Sequence, residues 1–304
     1  MIVTVFQFLF GALLLYYGAE YLIKSGKLIA NKLGVPSIFI GITIVAFGTS
    51  LPELIVSIYA NLSGEQEIVL GNIIGSNIAN IGLILGLTAM IYPISFNFKI
   101  SKIDFYFLTA ITVLFSFFLY FEMLSMIQGI LFLLSLTFYC AYLYRTHKND
   151  YNEKYEQFNY QFVILFFAGV IGLWLGSDLF VRGAISMAKY FGVSSLAIGM
   201  TIVALGTSIP ELATSLVAAS KGESEIAVGN ILGSNLFNIL AVMGLTLVIN
   251  DMVFDFSTIQ INVIIMLVFT LLLVIILKYL NRISRLTGLL FLAGYVYSFI
   301  IMFL

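Results

Sequence analysis

The sequence predicts an all-α integral membrane protein whose ten transmembrane helices form two inverted five-helix repeats. The 304-residue chain is 61 % hydrophobic and 10 % charged, with a mean hydropathy of +1.09. This composition is too apolar for a water-soluble globule. The apolar segments come in runs of about 20 residues, which is the length of a membrane-spanning helix. In addition, a long stretch of the sequence occurs twice.

The apolar runs place the predicted spans in order along the chain. They are too long and too continuous for the alternating pattern of a barrel strand, so each is interpreted as a helix. No basic segment precedes the first run and no cleavage site follows it, which favours a retained helix over a signal peptide. The predicted spans are 2–23, 37–61, 67–92, 103–121, 125–144, 161–181, 193–219, 225–249, 258–278 and 286–304.

The repeat begins at Gly18, continues to about Thr88, and returns without a gap 158 residues later. When 41–88 is aligned with 199–246, 28 of the 48 residues are identical, far more than shared hydrophobicity would produce. Each half carries an odd number of spans, so the second half enters the membrane in the opposite orientation. Inverted repeats are typical of secondary transporters, whose substrate site lies between the repeats near the midplane. The predicted units are 1–144, a polar linker at 145–160, and 161–304.

The basic residues predict the orientation in the cell membrane. Twelve of the 14 Lys and Arg residues fall in loops on one side, and only Arg182 and Lys189 fall on the other. By the positive-inside rule, the linker is cytoplasmic and both termini lie outside. The single cysteine, Cys140, excludes an internal disulfide and is expected to fill apolar space in the fifth span.

Two glutamates, Glu53 and Glu211, lie within predicted spans. A carboxylate at the bilayer centre costs roughly 2.5–3.5 kcal/mol on insertion scales, so each is a candidate functional residue. Each follows a proline, Pro52 or Pro210, which cannot donate the usual helical hydrogen bond. The Gly-Thr-Ser segment before each proline is therefore predicted to break or kink the helix and to turn carbonyl oxygens inward.

Hydroxyl and amide side chains accompany each glutamate. Thr49 and Ser50 precede Glu53 by one helical turn and share its face if the helix is only kinked. The next span carries a polar stripe at every fourth position, formed by Asn72, Ser76 and Asn80. The second repeat copies both patterns with Thr207, Ser208, Asn230, Ser234 and Asn238. Two carboxylates among neutral oxygens suit Ca²⁺ or a few Na⁺ ions, and they fit Zn²⁺ or Cu⁺ poorly.

The motifs GTSLPE (48–53) and GTSIPE (206–211), with GNIIGSN (71–77) and GNILGSN (229–235), resemble the alpha-repeats of the calcium/cation antiporter superfamily. Within it, they are most similar to the sodium/calcium exchanger branch, over essentially the whole chain. The resemblance implies exchange of Na⁺ for Ca²⁺ by alternating access, with the first and sixth helices sliding as a gate. It implies cation ligands at Glu53, Glu211, Thr49, Thr207, Ser50, Ser208, Ser76, Ser234, Asn80 and Asn238, and at the carbonyls of Ala46 and Ala204.

The coupling ion is less constrained. Some relatives, including potassium-dependent exchangers, carry an aspartate at one of the positions of Asn80 and Asn238, and its absence here disfavours K⁺ cotransport. The proton-coupled branch typically carries a different second motif with its own glutamate, so the resemblance favours sodium over protons. An H⁺/Ca²⁺ antiporter, a K⁺-dependent Na⁺/Ca²⁺ exchanger and a cation channel stay open as alternatives.

Structural roles compete with several of these interpretations. The simpler alternative for the two glutamates is a structural polar pair that ties helices together. The simpler alternative for the Asn-Ser-Asn stripes is hydrogen bonding between helices. Asn77 and Asn235 lie off the stripe, which favours a structural role. Glu20 and Asp178 are expected to be solvated at the membrane interface, with an ion-entry funnel as the alternative. The pattern of small residues four apart predicts close helix packing at Gly71, Gly75, Gly229 and Gly233.

Other functional classes find no support in the sequence. No H-E-x-x-H motif occurs and the single histidine lies in the linker, so an intramembrane metalloenzyme is not expected. We predict no cofactor apart from the transported Ca²⁺ and Na⁺. The expected surroundings are the lipid bilayer, with no nucleic acid and no obligatory protein partner.

Overall fold

The structure is a computed structural model that describes residues 2–95, 102–147, 160–192, 205–280 and 282–302. Helices dominate both halves of the chain. The first half contains α1 (Ile2–Leu33), α2 (Ser37–Ile40), α3 (Ala46–Thr49), α4 (Leu51–Leu62), α5 (Gln66–Ala79), α6 (Gly86–Ile91), α7 (Lys102–Leu119) and α8 (Met126–His147). The second half contains α9 (Gln161–Tyr190), α10 (Ile209–Ser220), α11 (Ser224–Phe237), α12 (Gly244–Ile249), α13 (Phe256–Leu280) and α14 (Arg285–Met302).

Consecutive helices join into the ten predicted spans. Among the described residues, six segments are long and apolar enough to cross a membrane, and Ser37–Thr49 with Leu51–Leu62 makes a seventh that is bent by 45°. Two further apolar helices, Ile103–Leu119 and Arg285–Ile301, are shorter. The remaining span is represented by α10, because its predicted start at 193–204 lies outside the described residues. The chain is an all-helical, multi-pass membrane protein, as predicted.

The predicted helix breaks lie at the Gly-Thr-Ser segments. In the first repeat α3 ends at Thr49 and α4 begins at Leu51, with Ser50 at φ −84° and ψ 7° between them. In the second repeat a 3₁₀ turn at Gly206–Ser208 precedes α10, and Ser208 has nearly the same backbone angles, φ −89° and ψ 5°. Proline falls in the first turn of α4 and of α10, where an intrahelical donor is not needed. In the first repeat the break therefore starts a new helix within the span, and in the second repeat a new helix starts at the matching position.

Three π-helical turns interrupt the helices in the part of the chain that the structure describes, and no sequence pattern predicts them. They lie at Gly41–Val45, Asn80–Leu85 and Asn238–Met243. The last two are repeat-related and begin at the two asparagines that the resemblance places at the centre of the site. A π turn inside an α-helix is frequent at functional sites, because the extra residue re-aims the side chains around it.

Helices α1 and α9 pack closely along a glycine-lined contact. A Cβ atom added at Gly18 would lie 2.7 Å from the backbone nitrogen of Leu173, and one added at Gly169 would lie 2.7 Å from that of Leu22. The absent side chains let the two backbones approach, as small residues do in membrane bundles.

The glycines of the second motif behave differently in the two repeats. A Cβ atom on Gly229 would lie 2.8 Å from the carbonyl oxygen of Ile38, and one on Gly233 would overlap that of Ile42. The packing prediction is confirmed for these two glycines. For Gly71 and Gly75 the structure describes no atom within 4 Å. The residues related by the repeat to those packed on Gly229 and Gly233, at 196–200, lie outside the described part of the chain.

Within the described ranges, two short antiparallel strand pairs join the first repeat to the second. Strand β1 (Ile94–Ser95) pairs with β4 (Arg282–Ile283), and β2 (Met123–Leu124) pairs with β3 (Met252–Val253). Each pair takes one strand from each half of the chain. The strand pairs thus hold the two repeats together at their edges, outside the helices that carry the polar residues.

Two ion pairs connect α1 with the turn between α10 and α11. The Nζ atom of Lys221 lies 2.5 Å from Oε1 of Glu20, and that of Lys27 lies 2.5 Å from Oε1 of Glu223. Glu20 is therefore partnered, in addition to being partly exposed as predicted. In the other repeat Ser63 occupies the position of Lys221, and Asp178 is paired at 2.8 Å with Arg182 of its own helix.

Reversing the charge of Glu20 is expected to destabilise the protein modestly. The variant Glu20→Lys places two ammonium groups together, whereas Glu20→Lys with Lys221→Glu restores an attractive pair. Because both side chains are about one-third exposed, the pair is expected to contribute about 0.2–1 kcal/mol. Thermal unfolding in detergent measures the effect. A double variant no more stable than Glu20→Lys would show that the pair contributes nothing.

Candidate ion-binding site

The two intramembrane glutamates are placed by the two helix breaks. Glu53 lies in the first turn of α4 and Glu211 in the first turn of α10, and each is only 1 % exposed. The amino-terminal end of a helix favours negative charge, so both breaks stabilise a carboxylate. Within the described residues neither glutamate has a Lys, Arg or His ion-pair partner. Two acidic groups are therefore buried together, and no side-chain cation of the described residues balances them.

The serines next to the breaks bond to the glutamate of the opposite repeat. The Ser50 hydroxyl donates to Oε1 of Glu211 at 3.2 Å, and the Ser208 hydroxyl donates to Oε1 of Glu53 at 3.4 Å. A kinked but continuous helix would keep Ser50 on the face of its own glutamate. The break at Ser50 turns its hydroxyl across the interface instead. Both carboxylates consequently belong to one site that the two repeats build jointly.

Four oxygen atoms of this site are buried without a hydrogen-bond donor among the described residues. They are Oε2 of Glu53, Oε2 of Glu211, Oδ1 of Asn80 and Oδ1 of Asn238. All four side chains are at most 1 % exposed. Leaving a buried acceptor unpaired costs about 1–3 kcal/mol, and more for a charged group. Since these four orphaned atoms are all acceptors, a cation could satisfy all of them together.

Asn72 and Asn230 tie helices together. Nδ2 of Asn72 donates to the Glu53 carbonyl at 3.1 Å and to the Ser57 hydroxyl at 2.9 Å. Nδ2 of Asn230 repeats this with the Glu211 carbonyl at 3.4 Å and the Ser215 hydroxyl at 3.1 Å. Their Oδ1 atoms accept from Thr207 and Thr49 at 3.4 and 3.1 Å. The structural alternative for the stripe thus fits these two positions, and the donor-free oxygens lie further along at Asn80 and Asn238.

The remaining hydroxyls adjoin the carboxylates. The hydroxyl oxygens of Ser208 and Ser76 lie 3.2 Å apart, and Thr49 Oγ1 lies 3.4 Å from Ser234 Oγ. Thr49, Ser76, Ser208 and Ser234 are buried, and Thr207 is half-buried. The structure therefore brings these predicted ligands together around the two glutamates.

The two predicted carbonyl ligands differ. The Ala46 carbonyl accepts from the Ser50 N–H at 3.0 Å. The Thr49 hydroxyl lies 3.2 Å from the same carbonyl, but its one hydrogen is donated to Oδ1 of Asn230 at 3.1 Å. The Ala46 carbonyl therefore keeps a lone pair that a cation could use, and Ala46 stays a prediction. Ala204 lies outside the described residues.

Asn77 and Asn235 have a part in the site that the sequence did not indicate. Nδ2 of Asn238 donates to Oδ1 of Asn77, and Nδ2 of Asn80 donates to Oδ1 of Asn235, each at 3.2 Å. Both bonds cross between the repeats. The available signal was the Asn-x-x-Asn pattern that occurs in both repeats, but helical spacing pairs residues within one helix and gives no cross-repeat contact.

The donor set determines what the site can hold. The described residues contain no group of three or more His, Cys, Asp or Glu side chains that could hold a metal ion. Two carboxylates with amide and hydroxyl oxygens match hard cations such as Ca²⁺, which takes six to eight oxygens in flexible geometry. Two negative charges balance one divalent ion or two monovalent ions.

Two inverted helical repeats that jointly enclose an all-oxygen site in the membrane define a cation transporter. Comparison with known families identifies which one. The profile described as sodium/calcium exchanger protein matches residues 3–145 and 161–304, and the chain belongs to this family. It is a transporter and not an enzyme.

The chain is also similar to individual proteins. The sodium/calcium exchanger MaX1 of Methanosarcina acetivorans is 33 % identical over 282 residues, which cover 78 % of this chain and 81 % of that protein. The inner membrane protein YrbG of Escherichia coli is 36 % identical over 248 residues, covering 77 % and 76 %. The structure of the sodium-calcium exchanger NCX_Mj soaked with zero Na⁺ and Ca²⁺ superposes with a TM-score of 0.86 at 32 % identity, over 99 % of both chains.

Proposed function

We propose that this protein is an antiporter that exchanges Na⁺ for Ca²⁺ across the cell membrane by alternating access. The observation that carries the proposal is the set of four buried, donor-free oxygens contributed equally by the two repeats. The same oxygens serve both ions in turn, so binding of one displaces the other. Competition for shared ligands is enough to couple the Na⁺ flux to the Ca²⁺ flux.

Charge balance supports this pairing of ions. A pocket that carries two carboxylates is neutralised by one Ca²⁺ or by two Na⁺, so either load is compatible with a site buried in hydrocarbon. If a third Na⁺ binds at the surrounding hydroxyls, as the resemblance implies, each cycle moves one net charge. That movement is worth about 2.3 kcal/mol per 100 mV, so the exchange would respond to membrane potential.

The test is ⁴⁵Ca²⁺ uptake into proteoliposomes with one ion gradient imposed at a time. We expect uptake when Na⁺ is high inside and low outside, and little uptake when a K⁺ or a pH gradient replaces the Na⁺ gradient. Uptake driven by the pH gradient alone would instead identify an H⁺/Ca²⁺ antiporter. A strict K⁺ requirement in addition to Na⁺ would identify a K⁺-dependent exchanger. Flux insensitive to an opposing Na⁺ gradient, with single-channel currents, would identify a channel.

We also propose the orientation derived from the basic residues, with the 145–160 linker in the cytoplasm and both termini outside. The proposal is supported by the concentration of Lys and Arg on the linker side. A protease-cleavable tag at either terminus tests it: on intact cells or right-side-out vesicles, added protease should remove the tag. Cleavage only after the membrane is opened would reverse the assignment.

A further inference from the structure

We propose that Asn77 and Asn235 are positioning residues that aim the amide oxygens of Asn238 and Asn80 at the transported cation. The inference rests on the proposed function, because it assigns the orientation of two ligands in that site. It adds two residues whose own side chains need not touch an ion.

The geometry is a pair of crossed amide–amide hydrogen bonds. Asn77 accepts from Asn238, and Asn235 accepts from Asn80, so each bond joins the first repeat to the second. All four side chains are at most 2 % exposed. The side chains are thus shielded from bulk solvent, and the NH₂ groups of Asn80 and Asn238 each have the neighbouring asparagine as an acceptor.

The orientation of the central amides follows from these bonds. An asparagine amide has a donor end and an acceptor end, and fixing the donor end leaves the oxygen facing the other way. Asn80 and Asn238 are anchored through Nδ2, and their Oδ1 atoms are the donor-free oxygens of the site. Without the anchoring acceptor, the buried NH₂ group would be unpaired. The amide would then be free to rotate and present N–H groups, which repel a cation.

The two positioning residues are held differently. Nδ2 of Asn77 lies 3.8 Å from Sδ of Met266 on α13, which keeps Oδ1 of Asn77 directed at Asn238. Nδ2 of Asn235 has no hydrogen-bond partner among the described residues. Asn77 is thus fixed at both ends of its amide and Asn235 at one end. We expect the removal of Asn77 to perturb the site more than the removal of Asn235.

The effect should depend on the charge of the ion. The energy between a charge and a fixed dipole scales with the charge, so a misdirected amide weakens Ca²⁺ binding about twice as much in free energy as Na⁺ binding. A general loss of folded protein would not distinguish the two ions. The Ca²⁺-to-Na⁺ affinity ratio is therefore the diagnostic measurement.

The experiment is equilibrium ⁴⁵Ca²⁺ binding to the purified full-length protein in detergent, with Na⁺ titrated as the competitor. For Asn77→Leu we expect the Ca²⁺ Kd to rise about fivefold or more, the factor that one net hydrogen bond represents. The Na⁺ dissociation constant derived from the competition should rise by a smaller factor. Asn77→Asp keeps an acceptor for Asn238, so it should retain wild-type or tighter Ca²⁺ binding.

Asn61 provides a matched control away from the site. Its Nδ2 donates to the carbonyls of Thr246 and Asn250 at 2.9 and 3.0 Å, and the side chain is 1 % exposed. The variant Asn61→Leu loses buried amide bonds of the same kind. It should lower thermal stability while leaving the ratio of the two ion affinities unchanged.

Each outcome separates the two proposals. If the wild-type protein binds no Ca²⁺, the proposed function fails. If the wild-type protein binds Ca²⁺ and Asn77→Leu binds both ions as tightly, only the positioning role is overturned. Equal loss of Ca²⁺ and Na⁺ affinity in Asn77→Leu, or loss of Ca²⁺ binding in Asn77→Asp as large as in Asn77→Leu, would also overturn it. If Asn77→Leu does not fold, the comparison of Asn77→Asp with the wild type decides.

Discussion

Replacing Glu53 by glutamine is expected to lower Na⁺-dependent Ca²⁺ uptake by about a hundredfold or more, and Glu211→Gln should do the same. Glutamine keeps the size and one oxygen of the side chain but removes a negative charge. The site then holds a divalent ion against a single carboxylate, with the excess charge buried. Breaking a buried charge pair costs about 3–5 kcal/mol, and each 1.4 kcal/mol is a factor of ten. The measurement is initial ⁴⁵Ca²⁺ uptake into proteoliposomes with a fixed Na⁺ gradient.

The control for charge removal is Glu65→Gln. Glu65 is an exposed carboxylate in the turn between α4 and α5, and it should be replaceable with little effect on uptake. Similar losses in Glu53→Gln and Glu211→Gln are expected because the two glutamates occupy repeat-related positions and each accepts from a serine of the other repeat. Wild-type exchange in either glutamine variant would show that the site is not shared as proposed.

Much of the fold can be predicted from the sequence because a membrane restricts the backbone structures that a spanning segment can adopt. An apolar run of about 20 residues has to be a helix, since lipid offers no partner for the backbone. The duplicated segment with an odd number of spans then dictates the inversion. The helix breaks at Gly48-Thr49-Ser50 and at Gly206-Thr207-Ser208 were also predictable, since proline and glycine weaken a helix for known reasons.

The parts that could not be predicted depend on contacts between the repeats. Sequence spacing places Ser50 near Glu53, whereas the structure bonds it to Glu211 because the chain turns at the break. The π turns that begin at Asn80 and Asn238 have no composition signal, yet they lie at the donor-free oxygens. The crossed amide bonds likewise involve residues more than 150 positions apart. Helical periodicity predicts which residues of one helix share a face, and it does not predict contacts between residues of different repeats.

Replacing Gly18 or Gly169 by alanine is expected to destabilise the protein by about 1–3 kcal/mol or more, because the new methyl group meets backbone and not a movable side chain. A Cβ on Gly18 would lie 3.0 Å from the Gly169 carbonyl oxygen, and one on Gly169 would lie 2.9 Å from the Gly18 carbonyl oxygen. Thermal unfolding in detergent measures the loss. Gly206→Ala is the control for adding a methyl group at a glycine, since the nearest atom among the described residues is a Val181 methyl group at an ordinary 3.5 Å.

The double variant distinguishes a local clash from separation of the helices. Both glycines lie where α1 crosses α9, so a methyl group at either position pushes the two helices apart. The second methyl group then occupies the gap that the first one opened. The double variant should therefore lose clearly less stability than the sum of the losses in the two single variants. Strict additivity would mean that each clash is relieved locally, without displacement of α1 from α9. If these two helices slide as the gate, the same variants should also slow exchange in the fraction of protein that stays folded, since a widened contact no longer guides the movement.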